Sequence, residues 1–479
     1  MSQRSFVGKS GMRRPALGVS LLAGTLMSAA GAVHGQSAAG PVPKPADDSL
    51  TLHGITLYGI VDAGLQYDTH SAPFSDYFSA TSSDLVQKNS VKSVTGATSS
   101  NMSQSRVGLM GIEPLNAGDW YGIFRLETFF NPTSGDISDA LKSQTLNNGR
   151  TAANQTVNLD SSIAGQIFQQ SYLGVSSRTF GSLTFGRQNT ILADGVAKYD
   201  PQGASQAFSL VGLSGTYAGG GDTEDRRLDN SLKYVAVFGP LHAGAEYKFN
   251  NNHGGTGNNA VQATIGAEYL GASIDGYYSK VNSAVSTSAL SAAQVAELPG
   301  LGYSVDKSLA GTISDNTTLA VMALYNIPAP VGAPKVYLAY EHIDYANPAD
   351  PIAAGFDDIG GYKLAFVNNA AFPHDKVLDV YWTGGKYTVL GNLDLTIAYY
   401  GIRQNAYGDG ANAGCNSAAK SGTCSGNENI YSFSGDYRFT KRFDIYAGGM
   451  YSRVQGGLAN GFIYNTNNFN PTIGFRFRF

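Results

Sequence analysis

Hydrophobic and polar residues alternate along this chain with a period of two, in one segment after another. The last nine residues show it most plainly. Pro471, Ile473, Phe475, Phe477 and Phe479 interleave with Thr472, Gly474, Arg476 and Arg478. Successive side chains of a strand point to opposite faces, so one face here is aromatic and the other cationic. Leu241, Ala243, Ala245, Tyr247 and Phe249 interleave likewise with His242, Gly244, Glu246 and Lys248. Val261, Ala263, Ile265, Ala267 and Tyr269 oppose Gln262, Thr264, Gly266 and Glu268, and Ile55, Leu57, Val61, Leu65 and Tyr67 oppose Thr56, Asp62 and Gln66.

The pattern predicts sixteen strands, at 54–67, 104–114, 120–130, 168–177, 182–188, 227–238, 241–250, 261–269, 273–280, 317–327, 335–344, 376–389, 392–402, 429–439, 443–453 and 470–479. Seven connections are short (115–119, 178–181, 239–240, 270–272, 328–334, 390–391 and 440–442), and they alternate with eight longer ones. An even count puts both termini and every tight turn at one end. The long connections near 68–103, 131–167, 189–226 and 281–316 are rich in Ser, Asn, Gly, Thr and Ala and sustain no helical period. Loops of that size disfavour a compact soluble domain. They suit the outer side of a membrane barrel.

Residues 1–14 hold Arg4, Lys9, Arg13 and Arg14 and no acid, and the run PALGVSLLAGTLMSAA from Pro15 to Ala30 is apolar. This is the pattern of an export signal, with cleavage after Ala32 or after Gly35 both fitting. Cleavage at 35 leaves 444 residues with 28 Lys and Arg against 36 Asp and Glu, a balance of −8. Residues 36–53, with Pro41, Pro43 and Pro45, read as an extended leader ahead of a barrel domain at 54–479. No later run is apolar enough for a transmembrane helix. A closed barrel can still span lipid, because strand pairing satisfies every backbone group.

Composition agrees with strands and turns: 59 Gly, 28 Tyr and 23 Phe, with only 14% charged residues. A helical bundle would favour Ala, Leu, Glu and Lys instead. A nucleic-acid partner is disfavoured, since no Lys/Arg run stands out. The six histidines beyond the signal (His53, His70, His242, His253, His342 and His374) are scattered, without metal-ligand spacing, and no nucleophile elbow or phosphate loop is present. No catalytic, cofactor or metal residues are therefore assigned. Cys415 and Cys424 share one loop with eight residues between them, which in an oxidising compartment favours a disulfide.

The segments ITLYGIVDAGLQY (55–67), SRVGLMG (105–111), FGSLTFGRQ (180–188), NSLKY (230–234), DYRFTKRFDIYAGGMYS (436–452) and PTIGFRFRF (471–479) resemble, in that order, a Gram-negative general porin. The resemblance is to the betaproteobacterial branch of the sixteen-stranded trimeric family and covers the whole exported chain. It implies an all-β transmembrane antiparallel barrel in the outer membrane, with short periplasmic turns, long extracellular loops and a third long loop folded into the lumen. It also implies passive diffusion of ions and small hydrophilic solutes through a homotrimer, with Phe479 read by the barrel-assembly machinery. Small residues on the first strand's outer face, Gly59 and Ala63, suggest a flat surface for subunit contact.

A barrel of this size encloses water, so its inner wall is expected to be polar. Parity places Arg106, Arg125, Glu127, Arg227, Asp229 and Lys233 on that wall. Arg125 and Glu127 either pair along the wall or reach the constriction. Arg187 has the parity of Leu183 and Phe185 and would point outward, unless a bend at Gly186 turns it in, where the resemblance implies a pore-lining Arg. If the loop at 189–226 folds inward, Asp194, Asp200, Asp222, Glu224 and Asp225 would face the wall cations. Two other readings remain: a membrane-barrel lipase or protease, and a soluble β adhesin whose aromatic strips are covered by a second sheet.

Overall fold

The structure is a computed structural model that describes residues 50–75, 92–137, 140–157, 167–211, 226–250, 259–418 and 421–479. The export segment, the leader up to residue 49, and Asp222, Glu224 and Asp225 lie outside the described residues. Sixteen strands form the barrel: β1 (Ile55–Ser71), β2 (Arg106–Pro114), β3 (Trp120–Phe129), β4 (Gln170–Ser177), β5 (Gly181–Asn189), β6 (Arg227–Phe238), β7 (Leu241–Lys248) and β8 (Ala260–Tyr269) make the first half. The second half is β9 (Ala272–Ser288), β10 (Ser308–Asn326), β11 (Lys335–Ala346), β12 (Lys376–Val389), β13 (Leu393–Gln404), β14 (Gly426–Arg438), β15 (Phe443–Gly456) and β16 (Thr472–Arg478). Each pairs antiparallel with the next. The ring closes where β16 pairs with β1, from Ile60 opposite Arg478 to Gln66 opposite Thr472.

Exposure along these strands is inverted relative to a soluble protein. In β7, Leu241, Ala243, Ala245 and Tyr247 are exposed, while His242, Gly244, Glu246 and Lys248 are buried. Ile265, Leu173 and Ile397 are each at least 66% exposed, whereas Glu246 is 1% exposed. A soluble sandwich would cover the apolar faces. Here they form the outer surface, and among the described residues no second sheet packs on them. The soluble-adhesin reading is thereby corrected.

The structure also departs from the sequence reading in its loops. Among the described residues three short α-helices occur there: α1 (Ala140–Thr145), α2 (Ile191–Tyr199) and α3 (Ala292–Leu301). Two begin at local caps: Thr190 accepts from the Ala193 N–H, and Ser291 forms a capping box with Gln294. Helices of six to ten residues turn too few times to show a clear period. Strands β9 and β10 run well past the expected 273–280 and 317–327, because a register shift between Val281 and Ala284 breaks the alternation midway. Short strands add to the ring: Leu50–Leu52 folds back on β1, and Lys92–Ser99 pairs with the upper half of β1. Phe356–Ile359 and Tyr362–Asn368 form a hairpin beside β10, and Asn467–Phe469 pairs with β15 ahead of β16.

The closing seam is held by backbone hydrogen bonds and by buried ion pairs. Gly59 and Phe479 exchange backbone hydrogen bonds at 3.0 and 3.1 Å. A Cβ on Gly59 would lie 2.4 Å from the Phe479 ring. Gly59 is small because its own chain's terminal ring covers it. Inside the seam, Arg476 pairs with Asp444 at 3.1 Å and Asp436 at 2.7 Å and donates to Ser103 at 2.7 Å. Asp62 accepts from Tyr446 and from the Met102 and Ser103 N–H groups.

A Gly59→Leu chain is expected to lose about 1–3 kcal/mol through overpacking against Phe479. The measurement is the urea midpoint of the detergent-folded barrel, set beside that of Phe479→Ala.

Candidate functional site

The inner wall of β1 to β3 gathers the first charged group. Tyr58 (β1), Gly108 (β2) and Glu127 (β3) fall in one row of the register. Gly108 has no side chain to obstruct that row, and a Cβ there would sit 2.4 Å from Tyr58. Tyr58 therefore lies across it and donates to Glu127 Oε2 at 2.9 Å. Arg125 donates Nε to the Tyr58 oxygen at 2.6 Å and Nη2 to Glu127 at 2.9 Å. Arg106 stands 3.8 Å from the same carboxylate, and Gln170 donates to its other oxygen at 3.0 Å. Glu127 is fully buried. Two guanidinium groups thus share one carboxylate, and the cluster keeps a net positive charge.

Arg187 is re-aimed as a bend requires. The β5–β6 register shifts between Gly186 and Gln188, with Gly186 at φ +135°, and Arg187 pairs with Asp229. Arg227 stacks over the Phe129 ring at 4.8 Å. The arginines at 106, 125, 187 and 227 thus all sit on the wall of β2 to β6.

The long connection after β5 turns inward and runs along the wall. Helix α2 starts against β7 and β8: the Ile191 N–H donates to Glu246 at 3.0 Å and the Leu192 N–H to Gln262 at 3.1 Å. A carboxylate facing unsatisfied N–H groups at a helix start is favourable. Lys233 on β6 donates to Asp194 in the first turn at 2.6 Å. Further on, Lys198 reaches Asp275 at 3.3 Å, and Trp382 donates its indole N–H to the Tyr199 carbonyl at 3.0 Å. Gln202 donates to Ser432 at 2.9 Å, and the Ala207 N–H reaches the Asn101 carbonyl at 2.9 Å.

Asp194 meets a wall cation, Lys233, as an inward loop requires, and Asp200 departs from that expectation. Asp200 accepts from Tyr400 at 2.5 Å and from the Ala204 and Gln202 N–H groups, and is buried. Burial pushes the Asp200 carboxyl above its ordinary range, while those donors pull it down. Asp200 therefore fastens the loop to β13, apart from the arginine wall.

Nor is the inner wall polar throughout. Met322, Ile343, Val380, Trp382, Tyr400 and Ile402 face inward and are buried against Ile191, Leu192, Val196 and Tyr199 of the loop. Strands β10 to β13 carry apolar residues on both faces: one meets the surroundings, and the other meets the helix. Parity puts Glu246 and Gln262 on the polar faces of their strands but does not single out Tyr58. What parity could not show was that Glu246 and Gln262 would hold a helix start. The Trp382 patch was hidden because Val377 to Trp382 is apolar on both faces except at Asp379, so alternation does not mark an inner side. At the outer end, Cys415 and Cys424 form a disulfide.

The sequence profile described as Gram-negative porin matches residues 20–457. An outer membrane porin protein of Bordetella pertussis is 28% identical over 200 residues, 41% of this chain and 43% of that one. The match thus spans less than half of that relative's length. Among solved structures, the anion-selective porin from Comamonas acidovorans superposes with a TM-score of 0.56 at 17% identity, covering 89% of this chain and 99% of that one. The trimer form of in-vitro folded OmpT from Vibrio cholerae gives 0.50 at 14% identity, covering 89% and 99%. At these identities the structural likeness shows a shared fold.

Trp382→Ala should cost about 3–5 kcal/mol by opening a cavity between wall and loop. Chemical unfolding in detergent measures it. A closed sixteen-strand barrel, an inward loop and a family match over most of the sequence lead to one conclusion: the chain belongs to the Gram-negative porin family.

Proposed function

We propose that the chain forms a water-filled outer-membrane channel for passive diffusion of ions and small hydrophilic solutes. The observation that carries this is the inverted exposure: an apolar surface outside the ring and paired charges inside it. A barrel of sixteen strands leaves room for an aqueous path even with one loop laid against its wall. Turns such as 239–240 then face the periplasm and the long loops face outward. Lipid contacts the outer residues, three copies assemble as in the trimer form of the Vibrio porin, and Phe479 presents the closing strand to the assembly machinery. The role is transport without catalysis.

Local charge sets the ion preference. Arg106, Arg125 and Arg227 against the single carboxylate of Glu127 leave that part of the wall net positive. The Arg187–Asp229 and Lys233–Asp194 pairs are neutral as pairs. The overall acidic balance counts for less, since charges beyond about 8 Å are screened at physiological salt. The channel thus has a weak anion preference.

Single-channel recording in a planar bilayer tests both parts. Arg106→Gln or Arg227→Gln should move the zero-current potential toward cations in a salt gradient. Unchanged potentials in both would remove the arginines from the conducting path. Failure of the unaltered chain to conduct would end the channel reading.

A further inference from the structure

The long-loop end of the barrel is bridged. Residues 140–157, between β3 and β4, bind two loops that leave the ring on opposite sides. On one side the Gly149 N–H donates to the Leu290 carbonyl at 2.8 Å, and the Leu290 N–H donates to Asn148 Oδ1 at 2.7 Å. Asn148 Nδ2 also donates to the carbonyls of Val305 and Ser308 at 2.7 Å each. Leu290 lies two residues beyond β9, and Ser308 opens β10. On the other side the Val157 N–H donates to the Pro73 carbonyl at 2.8 Å, two residues beyond β1.

Strands β1 and β9 stand eight places apart in a ring of sixteen. Two residues reach only about 7 Å, so neither attachment strays far from its strand end. The two attachments are themselves joined. The Thr156 N–H donates to Asn147 Oδ1 at 2.8 Å, Asn147 Nδ2 returns to the Thr156 carbonyl at 3.0 Å, and Ser143 donates to the Val157 carbonyl at 2.9 Å. A segment so folded, holding β1 by one end and β9 by the other, has to cross the opening. An apolar anchor fixes it: Leu141 is fully buried with Val285, Leu309, Ile313, Ile352 and Leu364. Val285 on β9 and Leu309 and Ile313 on β10 supply part of that anchor.

We propose that residues 140–157 are a fixed outer filter, a second narrowing in series with the inner loop, which limits the size of solute admitted. The proposal rests on the channel reading. Pore width selects by size. Neither the buried leucine nor the clamped asparagine touches the inner arginines, so loss of the filter is read in the size of neutral solutes admitted.

The test compares the unaltered chain with two variants: residues 140–156 replaced by a short Gly-Ser linker, and the pair Leu141→Asp with Asn148→Ala. The readouts are single-channel conductance and swelling of proteoliposomes in neutral sugars of rising size. For two narrowings of similar resistance, removing one raises conductance by about twofold. A larger sugar should then enter. If the linker variant does not fold, the paired substitution decides. Wild-type conductance and the same sugar limit in a folded variant would overturn the filter while leaving the channel intact. Absence of conductance in the unaltered chain and both variants would overturn the channel, and the filter with it.

Discussion

In lipid there is no water to satisfy an unpaired N–H or C=O group, so a sheet that spans it cannot have an edge. The mutual hydrogen bonds of Gly59 and Phe479 meet that requirement by joining the first strand to the last. The rest of the structure depends on that closure. It demands an even number of antiparallel strands for the two ends to meet, and it separates an outer surface from an enclosed one. The buried network of Arg476, Asp444, Asp436 and Ser103 behind the seam is possible because closure removes it from the surroundings. A buried guanidinium is tolerable when several acceptors surround it.

The enclosed side is divided by chemistry. From β1 to β6 the wall holds Tyr58, Arg106, Arg125, Glu127, Arg187 and Arg227 in charge-assisted contacts and ring stacking. From β10 to β13 it carries an apolar patch, which the inward loop covers. The loop is held by both kinds of contact: a helix start against Glu246 and Gln262, and a hydrophobic face against Trp382 and Tyr400. The same device recurs at the mouth, where Leu141 takes the place of the helix face and Asn148 that of the cap.

The sequence by itself determined the number of strands, their order, the alternation of short and long connections, and which residues of most strands face inward. Period two is a local property, read from neighbours such as Tyr247 and Lys248, and closure follows once every strand has an apolar face. The Cys415–Cys424 pair was legible for the same reason: both residues lie in one loop. Tertiary structure alone decided how the loops are used. Asp194 and Asp200 look alike in sequence, yet one meets Lys233 and the other Tyr400, since the partners come from strands 39 and 200 residues away. The turning of Arg187 depends on a register shift against β6, and the bridge over the mouth depends on loops from opposite sides of the ring. Such contacts leave no periodic trace, because they are set by which surfaces a closed barrel brings face to face.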